Sequence, residues 1–335
     1  MPTNHTFVGR HATQNRPGRH HTFCAAPLAA QRTGSSPTTT GSVSTAPAEL
    51  SSGYWGAGGS WPPSRPTQKQ STNGPVVFTI GPVTPGQPRR PLVEICTDSL
   101  DGSIAVEQAG ADRVELCADL PLGGTTPSGG MMTAVCEALT LPVAVMIRPR
   151  AGDFLYSEGE REIMRRDIEL AKQAGAAAIV LGLLTPDGQV HVAATRDLIE
   201  RARPLEVTFH RAFDMSREPY EALRALIDLG IDRLLTSGQV ADVSAGLALV
   251  SELVAAAGAQ LSVMPGCGVQ EHNAREIIEA TGAREIHFSA RERRDGGMTF
   301  RNPACAMGTP EVPGEFERDA TSVDRIRALL VQLGG

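Results

Sequence analysis

Short apolar runs alternate with helix-like stretches along the chain, from about Leu92 to the C-terminus. The runs are continuously hydrophobic, which is typical of parallel strands that are covered on both faces. Between them, apolar residues recur with a spacing near 3.6, as in Ile163, Ile168, Leu170 and Ala171 after the third run. Eight strands are predicted: Leu92–Cys96, Arg113–Cys117, Val143–Arg148, Ala177–Gly182, Leu205–Arg211, Asp232–Thr236, Gln260–Pro265 and Glu285–Ser289. This alternation predicts an α/β fold, a single (β/α)8 TIM barrel with its site at the carboxyl ends of the strands.

A repeated phrase supports the count of eight. AGADRVEL, AGAAAIVL, LGIDRLLT and TGAREIHF each place a glycine shortly before a predicted strand. We expect Gly110, Gly175, Gly230 and Gly282 to end helices in the left-handed conformation, which glycine adopts without steric cost. Each interval between these phrases leaves room for one further strand and helix. The four phrases therefore account for eight strand–helix units.

The first 90 residues differ from the rest in composition. They are rich in Ser, Thr, Gly and Pro, contain eight Lys and Arg but a single acid, Glu49, and show no sustained period. This composition predicts a disordered low-complexity tail over residues 1–90, followed by one barrel over 91–335. The tail carries +7 and the whole chain −6, so the predicted barrel carries −13. An acidic barrel argues against a nucleic-acid partner.

The cysteines and the hydropathy pattern bear on the compartment. Six cysteines are scattered without a disulfide framework or a Cys-x-x-Cys signature, which suits a reducing environment. No stretch approaches the roughly 20 apolar residues of a membrane-spanning helix, and no secretory signal opens the chain. We therefore expect a cytoplasmic protein with no membrane partner.

The first two predicted strands end in nearly the same phrase, VEIC and VELC. Because strand side chains alternate between faces, Glu94 shares a face with Cys96, and Glu115 shares one with Cys117. Two thiolates on neighbouring strands are ligands that select monovalent copper. The alternative is that the small cysteines fill the barrel interior while the glutamates pair with arginines.

A second set of polar residues follows strands three and five, in the phrases RPRAGD and HRAFD. An arginine that closes an apolar strand usually binds an anion, because its fork holds carboxylate or phosphate. His210, beside an arginine and close to an acid, is the candidate for proton transfer, with Glu94, Glu115 and Asp214 as the carboxylates. The predicted anion-binding side chains are Arg148, Arg150, Asp153 and Arg211. A buried ion network that holds loops three and five is the alternative.

Glycines and hydroxyls gather after strands six and seven, where barrels commonly bind phosphate through backbone amides. Ser237, Gly238, Gly266 and Gly268 are therefore added to the predicted anion site. Small residues are also needed there for tight turns. The only lysines are Lys69 and Lys172, neither at a strand end, so Schiff-base chemistry is excluded.

The phrases LVEIC, GADRVELC, GGTTPSGG, IRPRAGDFLYSEGE, VTFHRAFDM, LTSGQ, GCGV and FRN closely resemble the CutC copper homeostasis family. The resemblance runs from about Leu92 to Leu333 and leaves out only the tail. It implies a TIM barrel that forms a homodimer, and a role in copper homeostasis. It also implies that Cys96 and Cys117 are the ligands of monovalent copper.

Two classes of function follow. The first is a cytosolic copper-binding protein that depends on Cys96 and Cys117. The second is an enzyme of the lyase or isomerase kind, acting by acid–base chemistry on a small anionic or phosphorylated substrate through Arg148 and His210. Replacing the cysteines by serine separates them, because only the first function needs the thiols.

Overall fold

The computed structural model describes residues 90–305 and 314–334. Its parallel strands are β1 (Leu92–Thr97), β2 (Arg113–Leu116), β3 (Val143–Met146), β4 (Ala178–Leu181), β5 (Glu206–Phe209), β6 (Arg233–Thr236), β7 (Ser262–Pro265) and β8 (Glu285–Phe288). They form one sheet in the order β7-β6-β5-β4-β3-β2-β1-β8, and β7 also contacts β8. The predicted barrel is confirmed, and every predicted strand overlaps an observed one. The predicted tail lies outside the described residues, apart from Arg90.

One helix follows each barrel strand. The helices are α1 (Leu100–Ala109), α2 (Gly129–Ala138), α3 (Glu158–Ala174), α4 (Val192–Ala202), α5 (Pro219–Asp228), α6 (Val243–Ala257), α7 (Ala274–Thr281) and α8 (Val323–Gln332). The four glycines that were predicted to end helices have φ angles between 69° and 90°, so that prediction is confirmed. On α3 the buried stripe includes Met164 with Ile168 and Ala171, whereas Ile163 and Leu170 are 49% and 45% exposed. The sequence period identified this helix but not all of its inward positions.

Two further strands lie between β8 and α8. They are β9 (Arg291–Asp295) and β10 (Glu317–Thr321), which pair antiparallel. These two strands were not predicted, because both are charged and show no alternation of apolar residues. Cross-strand ion pairs join them instead, including Arg293 with Asp319 at 3.1 Å.

The barrel strands bury different chemistry on their two faces. Outward residues such as Val93, Ile95 and Val114 belong to the main hydrophobic core with the helices. The alternate positions, such as Glu94 and Arg113, are also buried but carry charge. Among the described residues, no helix is both long enough and apolar enough to cross a membrane.

Candidate metal centre at the barrel mouth

The repeated Glu-x-Cys phrase places four polar side chains inside the barrel, near the carboxyl ends of β1 and β2. In the ladder between these strands, Cys96 pairs with Glu115. Glu94, Cys96, Glu115 and Cys117 are all buried. Each glutamate thus lies on the same face as its cysteine, as strand alternation requires.

His287 joins these residues from β8. Its neighbour in the ladder is Glu94, whose Oε1 lies 2.8 Å from His287 Nδ1. On the other side of the ring, His287 Nε2 lies 3.8 Å from Oε2 of Glu115. His287 was not among the predicted site residues. Strand alternation puts it inside the barrel, and barrel closure puts β8 beside β1, so the signal lay in the topology.

Three potential metal ligands converge at this point. One ligand atom each from Cys96, Glu115 and His287 lies within 4.8 Å of the others, and all three side chains are buried. The Cys117 thiol lies beside them and donates to Oε2 of Glu115 at 3.6 Å. The other oxygen of Glu115, Oε1, is buried and has no hydrogen-bond partner among the described residues. We call these four residues the thiol cluster.

Burial and neighbouring charges shift the proton affinities of the thiol cluster. Burial raises the pKa of Glu115 to about 7, although the charge of His287 opposes this. Burial and the adjacent Glu115 raise the pKa of the Cys117 thiol. Burial disfavours the charged form of His287, but Cys96, Glu115 and Glu94 outweigh it, so its pKa lies above the usual range. A cation that binds here therefore displaces protons.

A paired charge network lies beneath the thiol cluster, toward the amino ends of the strands. Arg113 forms ion pairs with Glu94 and, at 2.6 Å, with Glu285. Arg233 pairs with the same oxygen of Glu285 at 2.5 Å. Burial opposes the charge on Glu94, but Arg113 and His287 hold its pKa below the usual range. We call Glu94, Arg113, Arg233 and Glu285 the barrel floor.

The thiol cluster has donors that suit monovalent copper. Thiolate and imidazole are soft or borderline ligands that this ion prefers. Because Glu94 engages Nδ1 of His287, the Nε2 atom faces the cluster. A carboxylate that holds the second nitrogen of a histidine is the usual arrangement around metal-bound imidazole. The unpartnered oxygen of Glu115 adds an acceptor where a cation would bind.

The arginines predicted to bind an anion differ in how they are paired. Arg150, on the loop before α3, pairs with Asp153 at 3.1 Å and with Glu160 in the first turn of α3 at 2.5 Å. Asp153 is largely exposed. Arg148 has no carboxylate partner among the described ion pairs, and its guanidinium donates to carbonyls of the loops after β2 and β3. The alternative interpretation, in which these arginines hold loops, therefore accounts for Arg150 fully and for Arg148 in part.

His210 lies at the end of β5 with its ring against the backbone of Gly182. Its Nδ1 accepts a hydrogen bond from the backbone N–H of Ala212 at 3.1 Å, so the ring proton is on Nε2. Burial and then the charge of Arg148 lower the pKa of His210 to about 3. At neutral pH the ring is therefore neutral and offers an N–H donor rather than a basic nitrogen.

The loop after β6 already holds an anion from the chain itself. The carboxylate of Asp214 accepts hydrogen bonds from the N–H groups of Ser237 and Gln239, each with a contact at 3.1 Å. It also accepts from Thr236 and pairs with Arg211 at 2.8 Å. Asp214 thus satisfies Ser237 and Arg211, and the N–H of Gly238, the loop residue between Ser237 and Gln239, donates to the hydroxyl of Thr236 at 3.0 Å.

Close packing within the chain also accounts for the glycines in the loop after β7. Gly266 packs against the side chains of Leu235 and His287, where a Cβ atom would overlap Leu235. Gly268 lies against the carboxylate of Asp242, which caps the start of α6. Both glycines are explained by close packing, and a second anion beside Asp242 would be repelled.

The fold and site together define a TIM-barrel protein with a buried thiol, imidazole and carboxylate centre at its mouth. A sequence model of the CutC family matches residues 91–292, and the chain belongs to that family. It is 47% identical over 238 residues to the human copper homeostasis protein cutC homolog, covering 71% of this chain and 87% of the relative. It is also 47% identical to a CutC family protein of Bacteroides fragilis, covering 70% and 94%. A crystal structure of a CutC protein from Streptococcus agalactiae has a TM-score of 0.57 at 33% identity, covering 59% of this chain and 97% of that one.

Proposed function

We propose that this copper homeostasis protein binds monovalent copper in the thiol cluster. The observation that carries the proposal is the convergence of Cys96, Glu115 and His287 within 4.8 Å in a buried site. The human and mouse relatives are both named copper homeostasis proteins. Buried soft donors are of little use to a hard cation, which prefers oxygen ligands and water.

Each member of the cluster has a distinct part in the proposal. Cys96 and His287 supply a thiolate and an imidazole, and Cys117 supplies the second thiolate. Glu115 accepts a hydrogen bond from Cys117 through Oε2, which orients that thiol, and its unpartnered Oε1 offers an oxygen ligand. Glu94 acts indirectly, because it fixes the direction of His287.

The proposal is tested by copper affinity in a chain whose four cysteines outside the thiol cluster are removed. Cys24, Cys136, Cys267 and Cys305 are replaced by serine to give the reference protein. Competition with a copper(I) chelator under anaerobic, reducing conditions then measures the affinity. We expect about one ion per barrel, and an affinity that falls roughly 100-fold or more when Cys96→Ser or Cys117→Ser is added.

The control is the reference protein itself, since Cys136 is in α2 and contributes nothing to the cluster. Equal copper affinity in the reference protein and in both added variants would remove the thiolate hypothesis. If only Cys96→Ser lowers the copper affinity, Cys117 is not a ligand.

The proposal includes a reducing, cytoplasmic setting, because a thiol site requires free cysteines. All five cysteines in the described ranges are free thiols. The homodimer remains a prediction, and it is checked by light scattering of the purified chain.

The acid–base enzyme is the weaker alternative. His210 is neutral with its Nδ1 engaged, and Asp214 is saturated by internal donors. Glu94 is ionised between Arg113 and His287. Of the four predicted catalytic groups, Glu115 alone keeps an unpartnered oxygen among the described residues.

A further inference from the structure

Arg148, at the end of β3, is a buried cation without a counter-ion among the described residues. It is 5% exposed. One terminal nitrogen donates to the carbonyls of Leu122 at 2.9 Å and Gly124 at 2.7 Å, and the other to Gly152 at 3.0 Å. Its Nε atom is buried and has no acceptor within hydrogen-bond distance among the described residues; the hydroxyl of Tyr156, whose pKa this guanidinium influences, is also buried without a hydrogen-bond partner. Carbonyl dipoles replace water around a guanidinium but do not neutralise it, and buried charges are usually paired.

His210 supplies a second unpartnered donor. The Nε2 atom is buried without a hydrogen-bond acceptor in the described part of the chain. Since Nδ1 already accepts from Ala212, the Nε2–H group is the free one. Leaving a buried donor without an acceptor destabilises the folded state, and two such donors close to one aromatic ring indicate a missing acceptor.

The sheet register brings these two donors into one row. Met146 pairs with Val180, so the next inward positions along β3 and β4 are Arg148 and Gly182. The ladder between β4 and β5 extends the row to His210. Because Gly182 has no side chain, the middle strand of the three places no group between the arginine and the histidine.

Phe154 covers the row from the loop after β3. Its ring centroid lies 5.2 Å from the guanidinium carbon of Arg148 and 5.1 Å from the ring centroid of His210. The ring is only partly buried, and its loop belongs to no helix or strand. Phe154 is therefore the group that a ligand must displace to reach both donors.

We propose that a small carboxylate binds between Nε of Arg148 and Nε2 of His210 when the Phe154 ring moves aside. Each donor gives one hydrogen bond, and the single positive charge of Arg148 balances one carboxylate. A phosphate dianion brings more charge and more acceptor oxygens than these two donors satisfy. The loops after β6 and β7 do not compete for the ligand, since Asp214 and Asp242 occupy them. This site is independent of copper.

The test is a titration of metal-free full-length protein with acetate, lactate and inorganic phosphate at constant ionic strength, followed by calorimetry and thermal shift. Acetate or lactate should bind and raise the unfolding temperature. Phe154→Ala should bind about tenfold more tightly because no ring has to move. His210→Phe and Arg148→Lys should each weaken binding about tenfold, the first by removing Nε2–H and the second by removing Nε.

Two controls separate this site from the others. Arg166→Gln alters an exposed arginine of α3 that is paired with Glu162, and Cys96→Ser alters the thiol cluster; both should bind carboxylate like the wild type. Circular dichroism confirms which variants fold. If Arg148→Lys does not fold, His210→Phe alone tests the site. Absence of carboxylate binding in both the wild type and Phe154→Ala overturns the proposal, as does unchanged binding in His210→Phe. Tighter binding of phosphate than of carboxylate overturns the ligand class.

Discussion

The barrel floor and the barrel mouth use buried polar residues in opposite ways. On the floor, every charge has a partner: Arg113 lies between Glu94 and Glu285, and Glu285 also binds Arg233. At the mouth, Glu115, Arg148 and His210 each have a buried atom without a partner among the described residues. Satisfied networks rigidify a structure, whereas unsatisfied groups are available to a ligand or a proton. Stability is therefore concentrated at the floor, and binding capacity at the mouth.

The largest expected effect is a loss of stability on breaking the floor. Glu94→Gln removes a charge that lies between Arg113 and His287 and leaves both without that counter-ion. Removing one member of a buried ion pair costs about 3–5 kcal/mol in the free energy of unfolding. Urea unfolding at pH 7 measures it.

Glu115→Gln is the matched change at the mouth. This carboxyl has no arginine partner and keeps a free oxygen, so the cost of the substitution at pH 7 should be much smaller. Equal destabilisation by the two variants would show that the floor and the mouth do not differ in the way described.

A second effect is a change in how stability depends on pH. The pKa of Glu115 rises to about 7 in the folded protein from an ordinary value of 4.5. Between these values the folded state keeps a proton that the unfolded state releases, so this contribution is complete below pH 4.5 and lost as the pH rises through 7. Glutamine does not titrate. As the pH rises from 5 to 8, the free energy of unfolding of Glu115→Gln should therefore increase relative to that of the wild type by on the order of 2 kcal/mol.

Denaturant unfolding at several pH values checks this expectation. Glu137→Gln, at an exposed position of α2, serves as the control for replacing a glutamate by glutamine. A stability difference between Glu115→Gln and the wild type that stays constant with pH would mean that this carboxyl is ionised in the folded state.

The smallest expected loss of stability comes from a substitution at Gly182, which lies between Arg148 and His210 in the row at the mouth. A Cβ atom at Gly182 would overlap the ring of His210 and the side chain of Ala212. Gly182→Ala should therefore destabilise the protein by about 1–2 kcal/mol, the usual cost of overpacking. Thermal unfolding measures it.

Gly129→Ala is the control for that substitution. A Cβ atom there meets nothing within 4 Å, and the residue begins a helix. Alanine is the better helix former, so this variant should be neutral or slightly stabilised. If Gly182→Ala is also neutral, His210 is free to move and the row is not packed as described.

The fold was predictable because its signals are local. Apolar runs, helical spacing and the glycine helix ends each depend on neighbours in sequence, and they gave the correct strands. The Glu-x-Cys phrases were equally clear, since alternation along a strand is enough to place Glu94 and Cys96 on one face.

The rest of the site depends on contacts between residues that are far apart in the sequence. His287 joins the cluster only because β8 closes against β1. Arg113 and Glu285 lie at the amino ends of their strands, away from the end where chemistry is sought in barrels. Asp214 resembles a catalytic acid in sequence, yet the loop after β6 folds around it and satisfies it. A loop that binds substrate and a loop that binds its own carboxylate have the same composition.

Glu94 faces two ways, since one oxygen contacts the floor at Arg113 and the other holds His287. A mutation of Glu94 therefore removes both contacts at once, which matters for genetic studies of this protein. A cell carrying a Glu94 variant would lose the contact that orients His287 and also much of the protein itself, because an unstable barrel is degraded. Its phenotype would not distinguish a missing activity from a missing protein. Cys96 forms no contact with the floor residues Arg113, Arg233 and Glu285, so its replacement is the cleaner way to ask what the thiol cluster does in a living cell.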